Sequence, residues 1–307
     1  MTEQLISIVT PTYNSAEHIE ACILNVAKQT YSNKEHLFID NLSADGTQEI
    51  VRKYACIYPH IRLISEKDKG IYDAMNKGID LSSGNWLYFM GCDDAFVDNN
   101  VLTSIFASDK PENKDVIYGN VIWGKGGPLY DGQFTPLKLL NKNICHQAIF
   151  FNRTLFDKLG LFEIKYIINA DWEFNMRWFL RNDIRIHYTE QAIAVYNLRG
   201  YSSTINDLVF MENKQSLIHK YFPEEYALIF DWHIKNNKNK SLINEQGTLY
   251  TYINALQSHI DILDGTINKL RSPIYWKMTK PIRKLLKLIK KQTDYISTNY
   301  LNKTSIS

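Results

Sequence analysis

The first ninety residues alternate short apolar runs with segments of helical periodicity, and this alternation constrains the fold more than any other feature. Apolar runs predict strands at 5–10, 36–40, 61–65 and 86–90, with helical spacing between them. A β-α-β-α-β-α-β order favours a parallel sheet, because right-handed crossovers return each strand to the same direction. The sequence therefore predicts an α/β fold with a central, mostly parallel sheet.

The second half of the chain has a mixed pattern. Strands are predicted at 116–122, 148–152 and 184–188, with a helix near 170–182 and a hairpin turn at GKGG, 124–127. From residue 207 onward strand patterns disappear, and the remainder is predicted to be helical. Ser15 is predicted to cap the first helix of the chain.

Polar side chains follow three predicted strands where each strand ends. They are Thr12–Asn14, Asp40–Ser43 and Asp93–Asp94. Ligands of parallel sheets gather at this edge. The adjacent carboxylates of Asp93 and Asp94 repel each other, so a cation is their natural partner, and hard oxygen ligands favour Mg²⁺ or Mn²⁺ bridging to phosphate oxygens. A turn with two solvated aspartates is the alternative interpretation of the pair alone.

Composition excludes several classes of protein. The 35 Lys+Arg and 33 Asp+Glu residues of the 307-residue chain give a net charge of +2. A net charge this close to zero does not indicate that the protein as a whole binds nucleic acid. We expect no membrane-spanning segment and no signal peptide, because no apolar run reaches about 18 residues and the amino terminus lacks a basic and an apolar region. The four cysteines form no CxxC pair and are interpreted as reduced thiols of a cytosolic protein.

Four segments, in order, resemble the family 2 glycosyltransferases with the GT-A fold. They are ISIVTPTYN at 6–14, LFIDNLSADGT at 37–47, EKDKGIYDAMNKGIDLSSGNWLYFMGCDD at 66–94 and NADWEFNMRW at 169–178. The resemblance implies an inverting, metal-dependent enzyme that transfers a hexose-type sugar from a nucleotide sugar, a UDP-sugar, to a glycan or lipid-linked acceptor. Surface polysaccharide biosynthesis of the bacterial type is the implied setting.

The resemblance also implies a role for each matching residue. Asp171 would be the general base, and Asp94 would hold Mn²⁺ or Mg²⁺. The remaining candidates would bind the donor or lie beside it: Pro11 and Tyr13 at the nucleotide base, Asp40 at uracil, Lys69 at the diphosphate, Asn76, Asp93 at the ribose or metal, His146 and Gln147 near the sugar or acceptor, and Ser203 in a loop over the diphosphate. An N-cap for Asp171, loop packing for Tyr13 and a solvated Lys69 are the structural alternatives.

The carboxyl-terminal part carries two further patterns. Apolar residues from 249 to 270 recur with a spacing of 4 and 3, with Ile at a and Leu at d, which favours a parallel two-stranded coiled coil and a homodimer. An amphipathic helix packed on its own domain is the alternative. Residues 271–291 carry eight basic residues and no acidic one, a pattern typical of a helix on an anionic membrane surface. RNA binding and a solvated face remain alternatives for this segment.

These patterns predict four parts: a GT-A domain at 1–206, a helical connector at 207–240, a heptad helix at 241–271 and a basic, membrane-associating tail at 272–307. The predicted location is the cytoplasm, on the inner face of the cytoplasmic membrane. Two other functions stay open: a nucleotidyltransferase, although no Gly-rich basic loop follows the first strand, and an inactive, membrane-docked dimeric scaffold. A dinucleotide oxidoreductase is disfavoured because no GxGxxG follows that strand.

Overall fold

The computed structural model describes residues 3–107, 111–124, 126–130, 132–197, 206–236 and 287. The chain divides into two compact units, residues 1–230 and residues 231–307. Ser203, the heptad segment 241–271 and all of the basic tail 272–307 except Lys287 lie outside the described residues. Among the described helices, none has the length and hydropathy needed to cross a bilayer.

One sheet organises the first unit. Its described strands are β1 (Ile6–Thr12), β2 (Lys34–Asp40), β3 (Ile61–Ser65), β4 (Trp86–Phe89), β5 (Ala95–Phe96), β6 (Val116–Trp123), β7 (Leu129–Tyr130), β8 (Ile149–Asn152) and β9 (Ile186–Tyr196). They are ordered β3-β2-β1-β4-β8-β6-β9-β5, with β7 paired to β6.

The strands β1 to β4 are mutually parallel. Strand β8 is antiparallel to both β4 and β6, and β9 is parallel to β6, so β6 and β9 run in the same direction as the first four strands. The α/β fold with a mostly parallel central sheet is therefore confirmed.

Helices cover the sheet and follow the strands in chain order. The described helices are α1 (Ile19–Ala27), α2 (Thr47–Ala55), α3 (Ile71–Leu81), α4 (Val101–Phe106), α5 (Pro136–Asn141), α6 (Thr154–Leu159), α7 (Ala170–Trp178), α8 (Leu208–Tyr221) and α9 (Glu224–Asn236). A three-residue 3₁₀ turn, His146–Ala148, precedes β8. The predicted helices after residue 207 are thus confirmed as far as residue 236.

The central strands are buried on both faces, which explains their nearly continuous apolar runs. On β1 and β4, Val9 and Phe89 join one apolar cluster, whereas Ile8 and Tyr88 join another on the opposite face. The larger cluster also contains side chains of α3, α6, α7 and α8. The sheet is therefore a rigid platform that fixes where its loops begin.

Two local predictions differ from the structure. Strand β1 does not end at residue 10 as predicted but continues to Thr12, with Pro11 in register with Ile39 of β2. Ser15 does not cap α1, which begins at Ile19, because the Ser15 hydroxyl donates a hydrogen bond to the Tyr13 carbonyl instead (3.3 Å).

Candidate functional site

Asp40 lies at the carboxyl end of β2 and is completely buried. Its Oδ1 accepts hydrogen bonds from the hydroxyls of Thr12 (3.2 Å) and Ser43 (2.5 Å). Its Oδ2 accepts from the Ser43 N–H (3.0 Å) and the Ser65 hydroxyl (2.7 Å). In this state Asp40 therefore joins the carboxyl ends of β1, β2 and β3, and its carboxylate oxygens are occupied by the protein itself.

The loop after β1 presents an aromatic ring to solvent. Tyr13 is 63% exposed, and Pro11 before it is half-buried. Asn14 has a left-handed φ of 47°, and it is held by a hydrogen bond from its N–H to the Ser43 hydroxyl (2.8 Å) and one from the Ala44 N–H to its side-chain oxygen (3.1 Å). The exposed ring thus stands on a fixed backbone, as stacking on a planar base requires.

Asp93 and Asp94 lie in the turn between β4 and β5, at the same edge of the sheet. Asp94 is 5% exposed, and its Oδ2 accepts hydrogen bonds from the Gln147 amide (2.7 Å) and the Gly91 N–H (3.0 Å). Asn197, just beyond β9, donates its side-chain amide to Asp93 Oδ2 (2.9 Å) and its N–H to Asp94 Oδ1 (3.4 Å). Both carboxylates are therefore fixed by hydrogen bonds, most of them from residues distant in sequence.

The electrostatics of this pair favour a cation. Burial raises the pKa of Asp94, and the charge of Asp93 raises it further, against the opposing effects of the Gln147 hydrogen bond and His146. The described residues contain no cluster of three or more His, Cys, Asp or Glu side chains arranged for a metal. Two carboxylates completed by phosphate oxygens and water suit Mg²⁺ or Mn²⁺, which keep several such ligands, so the donor set fits the predicted metal.

Asp171 lies in the first turn of α7 and is 8% exposed. Its Oδ1 accepts hydrogen bonds from the Tyr72 hydroxyl (2.9 Å) and the Trp172 N–H (2.8 Å). Its Oδ2 lies 3.3 Å from Nδ1 of His146. Asp171 is not the N-cap of α7, because that position is occupied by Asn169. The predicted base is thus a nearly buried carboxylate held from three directions.

The 3₁₀ turn links the two acidic centres. Gln147 binds Asp94, while its neighbour His146 contacts Asp171. Gln147 is oriented further because its Oε1 accepts from the Cys145 thiol (2.7 Å). The structure therefore brings four predicted residues into one site.

His146 has an environment that favours its charged form. Burial by itself would lower its pKa, but the hydrogen bond with Asp171 and the charges of Asp171, Asp94 and Asp93 outweigh burial and raise it. The protonated form of His146 would place a positive charge between the two acidic centres.

Two other predicted residues, Lys69 and Asn76, have different contacts. Lys69 is exposed before α3, where its N–H donates to Asp73 (3.0 Å). The Asn76 amide group is engaged with the backbone of Phe162, donating to the carbonyl (2.9 Å) and accepting from the N–H (3.0 Å). Ser203 lies outside the described residues.

Two residues of the site have no local sequence signal strong enough to predict them. Tyr72 contacts Asp171 across 99 positions of sequence, and Asn197 contacts Asp93 across 104. Tyr72 does lie within the segment 66–94 that resembles the family, but its helical spacing indicates only a core residue. Asn197 has no local motif.

The sequence and the fold are similar to those of known proteins. The family model described as Glycosyl transferase family 2 matches residues 7–176. The chain belongs to glycosyl transferase family 2. It is a nucleotide-sugar glycosyltransferase, and its relatives include the PGL/p-HBAD biosynthesis glycosyltransferases of Mycobacterium bovis and Mycobacterium tuberculosis. Each is 38% identical over 219 residues, which cover 69% of this chain and 84% of the relative.

A shorter match is the cholesterol galactosyltransferase of Borreliella burgdorferi, 32% identical over 112 residues that cover 36% of this chain and 31% of that protein. Among solved structures, residues 1–349 of S. aureus TarS in complex with UDP-GlcNAc superpose with a TM-score of 0.62, at 19% identity, over 83% of this chain and 80% of that chain. The mannosyltransferase PcManGT of Pyrobaculum calidifontis, with GDP-Man and Mn²⁺, gives a TM-score of 0.54 at 16% identity, over 95% of this chain and 87% of that chain. These structures share the fold.

Proposed function

We propose that this glycosyltransferase is inverting and metal-dependent and that it transfers a hexose-type sugar from a UDP-sugar. The observation that carries the proposal is the 3₁₀ turn, whose adjacent residues His146 and Gln147 contact Asp171 and Asp94. A base and a metal-binding carboxylate in one site are what a single displacement at the anomeric carbon requires.

In the proposed reaction Asp171 accepts the proton of an acceptor hydroxyl. The acceptor oxygen forms a bond to the anomeric carbon on the face opposite the nucleotide, and the bond from that carbon to the diphosphate oxygen breaks. The electron pair of the broken bond leaves with UDP, so no covalent enzyme intermediate is needed. His146, with its Nδ1 3.3 Å from Asp171 Oδ2, helps to orient the base.

Asp94, with Asp93 beside it, would hold Mn²⁺ or Mg²⁺. When bound, such a cation stabilises the negative charge that develops on the departing diphosphate. Gln147 and Asn197 keep the two carboxylates at the sheet edge. Lys69, exposed before α3, is proposed to approach the diphosphate from the solvent side, and Ser203 is proposed to lie in a loop that closes over it.

The exposed ring of Tyr13, with Pro11, is proposed to receive the nucleotide base. Asp40 lies beneath this loop and would position it or accept a hydrogen bond from uracil after a local rearrangement. Asn76 is proposed to support the donor site by fixing α3. TarS in complex with UDP-GlcNAc and PcManGT with GDP-Man share this fold and bind nucleotide sugars.

The acceptor is proposed to be a glycan or a lipid-linked sugar used in surface polysaccharide assembly. Relatives named for PGL/p-HBAD biosynthesis and for cholesterol galactosylation support a membrane-associated acceptor. The basic segment 272–307 would then dock the enzyme on the anionic inner face of the cytoplasmic membrane, and the heptads of 241–271 would make it a homodimer.

Nucleotide release tests the reaction directly. Protein with Mn²⁺ is mixed with a panel of UDP- and GDP-sugars, and free nucleotide is measured with and without candidate acceptors. Release from one UDP-sugar, increased by an acceptor that yields a product of inverted anomeric configuration in its NMR spectrum, is the expected result. Release from no donor would favour the inactive scaffold, whereas pyrophosphate formed from a nucleoside triphosphate and a sugar phosphate would indicate a nucleotidyltransferase.

A further inference from the structure

The two carboxylate oxygens of Asp171 have unequal surroundings. Oδ1 accepts two hydrogen bonds of ordinary length, from the Tyr72 hydroxyl (2.9 Å) and the Trp172 N–H (2.8 Å). Oδ2 has one longer contact, to His146 at 3.3 Å. A carboxylate oxygen with two donors has its lone pairs occupied, so the two oxygens are not equivalent as proton acceptors.

We propose that Tyr72 is a positioning residue that holds Oδ1 of Asp171 and leaves Oδ2 as the oxygen that receives the acceptor's proton. This rests on the proposed function, since it assigns the atom at which the base acts. The bond from the acceptor hydroxyl to its hydrogen breaks, the bond from that hydrogen to Oδ2 forms, and the released oxygen electron pair attacks the anomeric carbon.

The position of the Tyr72 hydroxyl is fixed by burial of the side chain and by packing of its ring against Phe162. Tyr72 is 5% exposed on α3, and its ring packs against Phe162 with the ring centroids 5.5 Å apart. One turn later on the same helix, Asn76 binds the Phe162 backbone through two hydrogen bonds. The hydroxyl therefore reaches Asp171 from a helix that cannot rotate away without breaking these contacts.

The hydroxyl has one hydrogen and two acceptors within reach. They are Asp171 Oδ1 and the carbonyl of Ile168, at 2.5 Å. An ionised carboxylate is the stronger acceptor, so the charged form of Asp171 draws the hydrogen toward Oδ1. Burial, together with the charge of Asp171, raises the pKa of Tyr72 well above its usual value, so the hydroxyl remains a donor.

The experiment compares Tyr72→Phe with Tyr166→Phe in the full chain. Tyr166 is a suitable control because it is also buried in the same apolar cluster and its hydroxyl has no hydrogen-bond partner among the described residues. The titration of the Asp171 carboxyl is followed by ¹³C NMR, with its signal assigned by loss in Asp171→Asn. The pH dependence of kcat is measured in parallel.

Removing a hydrogen bond to the charged form favours the protonated carboxyl, so the Tyr72→Phe titration midpoint should rise by about one pH unit. The midpoint of the acidic limb of the kcat–pH profile should move to higher pH by the same amount. On that limb kcat should be about tenfold lower, and the donor KM should stay within about twofold of the parent value. Tyr166→Phe should change neither the NMR titration midpoint nor the pH dependence of kcat. Fluorotyrosine incorporated at position 72 is a stronger donor and should shift both in the opposite direction.

An unchanged midpoint in Tyr72→Phe would overturn the proposal, because the Tyr72 hydroxyl would then donate its hydrogen bond to the Ile168 carbonyl and not to Asp171. An equal shift in Tyr166→Phe would overturn it too, since the effect would come from altered packing. The NMR titration needs no substrate. A shifted midpoint in a chain that transfers no sugar would therefore support the Tyr72 contact and reject the proposed function separately.

Discussion

Gln147 and His146 are neighbours in sequence, and each holds one of the two acidic side chains on which the proposed chemistry depends. The main chain of Gln147 is anchored as well, because its carbonyl accepts a hydrogen bond from the buried Tyr88 hydroxyl (2.7 Å). A short turn fixed in this way determines the relative positions of Asp94 and Asp171. We therefore regard the turn as the feature that makes one site out of two carboxylates.

Asp171→Asn should lower kcat strongly while donor binding stays close to that of the parent. A general base contributes about 10²- to 10⁴-fold to rate and little to nucleotide affinity. Asparagine keeps the size of the side chain, so its neighbours should stay in place. Turnover is measured by nucleotide release in the presence of acceptor, and UDP affinity by calorimetry.

Asp183→Asn is the matched control for this substitution. Asp183 is an exposed aspartate that forms ion pairs with Lys158 (2.7 Å) and Arg181 (2.9 Å), and it has no proposed role in the site. It should retain the parent kcat. Parent-like turnover in Asp171→Asn itself would show that another group is the base.

Asp94→Ala should abolish metal-dependent binding of UDP. Asp94 would hold the proposed cation, which would supply positive charge to the diphosphate. Removing this carboxylate should therefore have the same effect as adding EDTA to the parent protein. Calorimetry with Mn²⁺ measures the binding, and Asp80→Ala, an exposed position on α3, is the control. If the variant still bound UDP and lost that binding on addition of EDTA, the metal would lie elsewhere.

His36 should make the folded state sensitive to acid. It is completely buried on β2, its Nε2 lies 2.9 Å from the Thr10 hydroxyl, and its Nδ1 has no partner among the described residues. Burial, followed by the nearby His60, lowers its pKa well below the usual value. As pH decreases, the His36 imidazole therefore takes up a proton in the unfolded chain before it does so in the folded chain. The free energy of unfolding consequently falls below about pH 6.5.

His36→Gln should remove this loss, which amounts to at most about 2 kcal/mol at pH 5. Urea unfolding of the parent and the variant between pH 7 and pH 5 measures the difference. The comparison with the parent is needed because His146, with its raised pKa, acts in the opposite direction and stabilises the fold as pH falls. His18→Gln, at an exposed histidine, is the control, and parallel pH profiles for the parent and His36→Gln would contradict the argument.

At the scale of elements, a buried ion pair ties α7 to the rest of the unit. Arg177 and Glu173 on α7 are paired, and their side chains are 9% and 2% exposed. Arg177 also donates to the carbonyls of Leu159 (3.0 Å) and Leu161 (2.8 Å), while the Tyr221 hydroxyl donates to Glu173 (2.8 Å). The helix that carries Asp171 is thus fixed at its far end.

Arg177→Met should cost about 3–5 kcal/mol in the free energy of unfolding, because it leaves the Glu173 carboxylate buried without its counter-charge. Adding Glu173→Gln should recover part of the loss. Urea denaturation of the single and double variants gives the coupling, and Arg181→Met, which breaks an exposed pair, should have little effect. A loss no larger in Arg177→Met than in Arg181→Met would mean that the buried pair does not hold α7.

Long elements could be predicted from the sequence, and short ones could not. The strands and helices between residues 6 and 90 have enough apolar residues to show their period. The helices α4, α5 and α6 have six residues each, less than two turns, and were not predicted. Strand β9 continues to Tyr196, well past the predicted 184–188, because its pairing with β6 resumes at Ala192 after a register shift that spans the polar stretch 189–191.

The site could be predicted only as far as local motifs reach. Asp94 and Asp171 stand in segments that resemble the family, and the structure places them together. The partners that orient them come from tertiary contacts: Tyr72 from α3, and Asn197 from the end of β9. Such contacts leave no pattern in neighbouring residues, so a single sequence does not predict them.

At the scale of the whole first unit, strand direction explains why these residues meet. The carboxyl ends of β2, β4 and β9 lie at one edge, which places Asp40, Asp94 and Asn197 there. Strand β8 runs the opposite way, so the residues that precede it, His146 and Gln147, reach the same edge. Because β8 is antiparallel to its neighbours, the loop that precedes it contributes to a site that is otherwise formed by loops that follow strands.

The carboxyl-terminal patterns lead to a prediction about the full chain. Every proposed site residue precedes residue 204, so a chain shortened after residue 238 keeps all of them together with α8 and α9. An exposed apolar heptad stripe is unfavourable in a monomer, and each Lys or Arg near an anionic surface contributes about 1 kcal/mol that salt screens. The full chain should therefore be a dimer that sediments with anionic liposomes at low salt.

The shortened chain should be a monomer that stays in the supernatant and still acts on donor with a soluble acceptor analogue. Light scattering and liposome sedimentation measure the two properties. Leu256→Asp in the full chain should remove the dimer alone, and Arg283→Glu with Lys287→Glu should remove liposome binding alone, which separates the two segments. A shortened chain that remained dimeric, or still sedimented with liposomes, would place that contact within the first 238 residues.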